Sequence, residues 1–247
     1  MITKFYNFII ERTDLSKSRE ISIYADDILS KYLNKIKKLI ENNEQLNIHK
    51  QDPKFNYIDY EDYTIYFLED FSPGKINLEK KEINVDNELR IIIDSIKNKD
   101  KKEALNIFFN NILSNIELLS QTKIIIAHEL AHKNDPYNYI NKETRYSKKL
   151  SELRNKIENE KNSDLIPIKN KIYYNFYTEI NSFFLEFCIQ VLDLIEDGTF
   201  SKSDINFNSL FNKFKNNKRK LYNNLDEKNK KRIKNRLYNF YEDIKQL

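Results

Sequence analysis

Glycine occurs twice and proline four times in 247 residues. With so few breakers the chain must run in long uninterrupted elements, mostly helices, and leave its turns to Asn, Asp and Lys. The single cysteine, Cys188, excludes an internal disulfide, and its place in the apolar run 183–194 marks it as a buried, inert thiol. No apolar run reaches the roughly 20 residues that cross a bilayer. The opening MITKFYNFIIERTD holds an apolar run too short for a signal peptide, with no small-residue cleavage site after it. The sequence as given is therefore expected to be soluble, either cytoplasmic in the producing cell or released without a recognisable signal peptide. A strong charge imbalance is also missing. Its 42 basic and 38 acidic residues leave +4, mild for a dedicated nucleic-acid binder.

What is present is enough apolar material for a core, 40% hydrophobic and 13% aromatic residues. Apolar residues at helical spacing predict a helix over 20–45, with polar residues 41–53 breaking the pattern. From residue 55 the chain turns aromatic and β-branched. The spacing predicts a strand over 63–68, a turn at Ser72-Pro73-Gly74, and short strands around 76–78 and 82–85, together a small sheet. Helices are then predicted over 102–120 and 121–134, the second stopped by Asp135-Pro136. A charge-laced helix over 146–161, a strong aromatic helix over 171–196 and two helices in 207–247 complete an α+β, predominantly helical chain. No internal repeat or linker divides it, so one domain over 1–247 is expected.

Two of the three histidines lie in IIIAHELAHKND, residues 124–135. On a helix His128 and His132 stand one above the other, so both imidazoles can reach one metal ion at about 2.0–2.1 Å. Glu129, one position along, points to the side, where a general base can take a proton from a metal-activated water. A third ligand must come from elsewhere. The continuation HExxHxxGxxH is absent, because Asp135 and Asn138 stand at the Gly and third His positions, and His49 lies in a polar stretch upstream. The remaining source is a carboxylate on a later helix, and YYNFYTEINSFFLEF offers Glu179 and Glu186. Glu179, at the polar start of the apolar run, is preferred. Glu186 is read either as a hydrogen-bond partner that holds a ligand histidine in place or as a solvent-facing residue. Asp135 is read either as a group that orients an imidazole or as a helix-end residue. Tyr173, Tyr174 and Tyr177 precede Glu179, and one of them, with Tyr174 preferred, can donate its hydroxyl to an oxyanion.

HELAHKND followed by TEINSFF resembles the gluzincin zinc metallopeptidases. Within that class it looks most like the anthrax lethal factor catalytic domain and zincin-like proteins of phages and mobile elements. The resemblance covers roughly residues 60–195. It departs at Lys133 and Asn134, and in the longer EINSFFLE run. It implies a zincin-like fold with a small mixed sheet before the active-site helix, zinc on His128, His132 and Glu179, and Glu129 as general base. The implied activity is a zinc-dependent metallopeptidase, a hydrolase acting on a protein or peptide substrate. Within the one expected domain, the organisation is read as a helical segment 1–50, a catalytic core 55–195 and C-terminal helices 200–247. Residues 81–86 are the expected edge strand on which a peptide would add as an extra strand.

Two other readings compete. Residues 213–237 hold eleven basic and two acidic residues, a candidate nucleic-acid interface, although solvated faces of amphipathic helices are the preferred account. A zincin-fold binding protein without turnover is the other.

Overall fold

The structure is a computed structural model that describes residues 14–42, 57–67, 74–96, 99–133, 166–201 and 205–246, with residues 152 and 203. His49, Ser72, Pro73, Asn134, Asp135, Asn138 and the helix expected over 146–161, Glu152 apart, lie outside the described residues. Contacts cluster into two units, Ile21–Lys133, and Met1–Glu20 with Asn134–Leu247. The described chain is predominantly helical with one small mixed sheet, and no described helix is long and apolar enough to cross a membrane.

The 21–133 unit takes most of the first helix, α1 (Asp14–Glu41), which starts six residues before the expected bound. Ile21, Ala25, Ile28, Tyr32, Ile36 and Ile40 are buried along one stripe. Four strands follow: β1 (Tyr57–Tyr60), β2 (Tyr63–Tyr66), β3 (Gly74–Asn77) and β4 (Glu82–Val85). Gly74 is thus the first residue of a strand, not part of the expected turn. Ile58, Ile65, Ile83 and Val85 face the core, and Tyr32 of α1 stacks on Phe67 with ring centroids 3.6 Å apart.

The sheet order is β1-β2-β4-β3. β1 and β2 pair antiparallel, β2 and β4 parallel, and β4 and β3 antiparallel. The expected edge strand over 81–86 is therefore wrong: β4 is interior, paired on both sides, and the edges are β1 and β3. The β3–β4 hairpin turns through Lys81 at φ 56, with the Asn77 side chain accepting from the Lys80 N–H at 3.0 Å.

Helices α2 (Glu88–Ile96) and α3 (Lys101–Ile107), a π-helical stretch Phe108–Leu113 and α4 (Ile116–Lys133) complete the unit. The break before α4 falls at Ser114–Asn115, six residues earlier than expected. Asn115 accepts from the Leu118 N–H at 3.0 Å and starts the new helix. The break shifts the phase of the apolar stripe, so Phe108 and Ile112 are buried while Phe109, Leu113 and Ile116 are exposed.

The other unit holds α5 (Ile166–Tyr174), α6 (Tyr177–Glu196), α7 (Phe207–Asn217), α8 (Arg219–Asn224) and α9 (Glu227–Lys245). Its core joins Ile180, Phe184, Phe187 and Cys188 of α6 to Phe214 of α7 and Leu237 and Phe240 of α9. Cys188 is fully buried, and burial pushes its thiol pKa well up, which fits an inert thiol. Asp14, grouped with this unit, is also buried and takes two hydrogen bonds from Arg236 at 2.8 and 3.0 Å.

The helix expected over 171–196 is two helices, and the one C-terminal pair is three. The break at Asn175–Phe176 has a visible cause. Asn175, 2% exposed, donates to the carbonyls of Lys171 and Asn224 and accepts from the Asp226 N–H and the Asn229 amide. That uses all four hydrogen-bonding positions of its amide on groups the helix does not supply, apart from one.

Candidate metal centre

Helix α4 buries Ile124, Ile126, Ala127, Leu130 and Ala131, which fixes its rotation and so the direction of its polar side chains. His128 and His132 project from one face with their Nε2 atoms 3.2 Å apart and their rings inclined at 73°. Two nitrogens each about 2.0–2.1 Å from one ion at a tetrahedral angle stand about 3.3–3.4 Å apart. The pair already has that spacing. Burial, and secondarily the neighbouring His128, push the His132 pKa from 6.5 down to about 3. At neutral pH its imidazole is therefore uncharged, the form that binds a metal.

Glu179 lies in the first turn of α6, set there by the Asn175 break, where the helix dipole favours a carboxylate. Its Oε2 is shielded from solvent, and a carboxylate oxygen taken out of water requires donors or a cation in its place. His128, His132 and Glu179 each offer one ligand atom, and these atoms all lie within 4.8 Å of one another. The three can hold a metal ion.

Glu186 is not in that group. It forms an ion pair with Lys218, and both side chains are nearly buried. It is thus neither solvent-facing nor among the metal-ligand candidates. Glu129 is 5% exposed, and its carboxylate lies against Gly74 of β3. Tyr174 is buried in the α6–α9 core with its ring 5.7 Å from that of Phe183. Tyr173 is exposed, and Tyr177 is half-buried under the Arg232 guanidinium, 4.7 Å from its ring centroid.

Lys133, a departure from the resemblance, has a local role. Its Nζ lies 2.8 Å from Glu61 and 3.6 Å from Asp62, in the β1–β2 turn, and over the Tyr63 ring. It ties the C-terminal end of α4 to the hairpin. Of the eleven basic residues in 213–237, Arg236 is internal and paired with Asp14, and Lys218 is taken by Glu186.

Sequence reasoning missed Gly74, Asn175 and Lys218. Only Gly74 carried a signal, as one of two glycines in the chain. No protein-family model, curated protein or solved structure matches this chain.

Proposed function

We propose that this chain is a zinc-dependent metallopeptidase of zincin-like fold. The observation that carries the reading is the grouping of His128, His132 and Glu179 with Glu129 between the two histidines in sequence. Two neutral imidazoles and one carboxylate are the donor set of catalytic zinc sites, which keep a further position open. Zinc there supplies Lewis acidity toward a peptide carbonyl and lowers the pKa of water.

The chain's own residues supply the rest. His128 and His132 donate lone pairs, and Glu179 brings the negative charge. Glu129 accepts the proton of the attacking water and passes it to the leaving amine nitrogen. The outer edge of β3, the strand that packs on α4, is the place for a peptide to add as an extra strand.

The test is metal analysis with peptide turnover. Wild type should hold about one zinc per chain, and His128→Ala or His132→Ala should lose it. Glu129→Gln should keep zinc and lose at least ~10²-fold of activity. A metal-free wild type that cannot be reloaded ends the reading.

A further inference from the structure

The two glycines of this chain serve different ends. Gly198, just after α6, sits at φ 76, a conformation that side-chain-bearing residues resist. Gly74 does not have positive φ; it is an ordinary strand residue at the start of β3. Glycine weakens a strand, so its backbone conformation gives no reason for it there. Space does. A Cβ built on Gly74 would lie 2.5 Å from Glu129 Oε1, 3.1 Å from Glu129 Cδ and 3.0 Å from Ile125 Cγ2. Ile125 and Glu129 are four residues apart and share one face of α4. The bare backbone of β3 therefore fits against both side chains, and the wall it makes lies directly on the carboxylate.

We infer that Gly74 is a positioning residue for Glu129: its missing side chain leaves the room in which the carboxylate sits, and its backbone bounds that room. This deepens the peptidase reading and, for its kinetic consequence, rests on it. Oε1 is the far end of a flexible side chain, so an added methyl group displaces the carboxylate before it displaces the strand or the helix. The imidazoles of His128 and His132 are not among the nearest atoms to that Cβ. The fold and the metal ligands stay while the base moves by a distance on the order of 1 Å, a misplacement that can cost about 10²-fold in rate.

The experiment is a double-mutant cycle on the full chain with two readouts. In metal-free protein, Gly74→Ala should lower the melting midpoint in wild type, and at least half of that loss should vanish in a Glu129→Ala background, where the room is vacant. Equal shifts in the two backgrounds, zero included, overturn the contact. In zinc-loaded protein, Gly74→Ala should lower kcat about tenfold or more, with one zinc retained and KM within about threefold. An unchanged kcat in an active wild type overturns the positioning role. If wild type cleaves no peptide, the peptidase reading fails by itself, and the melting cycle still judges Gly74.

Discussion

Lys218 on the α7–α8 boundary donates its Nζ to the carboxylate of Glu186 on α6. The pair gives one of the two candidate glutamates a partner and leaves the other, seven residues earlier, in the metal-ligand group. Glu179→Gln is expected to lower zinc affinity at least tenfold, whereas Glu186→Gln keeps one zinc per chain. Lys218→Ala instead costs fold stability, about 3 kcal/mol, because it takes the ammonium away from a nearly buried carboxylate. Zinc competition with a chelator and urea unfolding separate the two effects.

Acid should destabilise the metal-free protein through His132. Its folded pKa, about 3, lies below the ordinary 6.5, so between these values the unfolded chain takes up a proton that the folded chain refuses. Stability from this group is complete above about pH 6.5 and falls as pH drops towards 3. His132→Phe or His132→Leu should flatten that part of the melting-midpoint profile. The same slope in wild type and variant would assign the acid sensitivity elsewhere.

Asn175→Ala removes the partner of two carbonyls, one backbone N–H and the Asn229 amide. A loss of about 2–4 kcal/mol is expected, the scale for breaking a buried hydrogen-bond network. Because Asn175 also sets where α6 begins, zinc affinity should fall with it. Denaturant melts of metal-free protein, set beside zinc titrations, check both; an unchanged melt would contradict the account.

Arg236 donates to both carboxylate oxygens of Asp14 and, at 2.7 Å, to Asn181, and its guanidinium lies 4.0 Å from the centre of the Phe184 ring. Asp14→Ala leaves that cation buried without its anion and is expected to cost about 3–5 kcal/mol in urea unfolding. Arg236→Lys should also be costly, because an ammonium cannot reproduce the forked donor geometry.

The motif helix was readable because the i, i+4 spacing of His128 and His132 is a local property. Strands β2, β3 and β4 were readable for the same reason, whereas β1, Tyr57–Tyr60, was not read as a strand of its own within the aromatic stretch that begins at residue 55. The strand order was not readable, since an interior and an edge strand of four residues show the same alternation. Only the parallel pairing of residues 64–66 with 82–84 makes β4 interior and β3 an edge. The break at Asn175 was hidden because the apolar pattern runs on either side of it, while three of its four partners lie 49–54 residues away. The preference for Glu179 rested on its position at the start of an apolar run. The Lys218 that pairs with Glu186 is 32 residues downstream and carried no local mark.

The Asp14–Arg236 pair also sets a timetable for synthesis. The two residues are 222 positions apart. At about 5–20 residues per second, Asp14 is made roughly 11–44 s before its guanidinium partner exists. Until then the Asp14 carboxylate lacks the Arg236 guanidinium, and α6, once it has been made, has no α9 to cover its apolar face. The unit that holds Glu179 therefore closes after translation has passed Arg236, and a ribosome stalled short of that codon would display an open, aggregation-prone precursor.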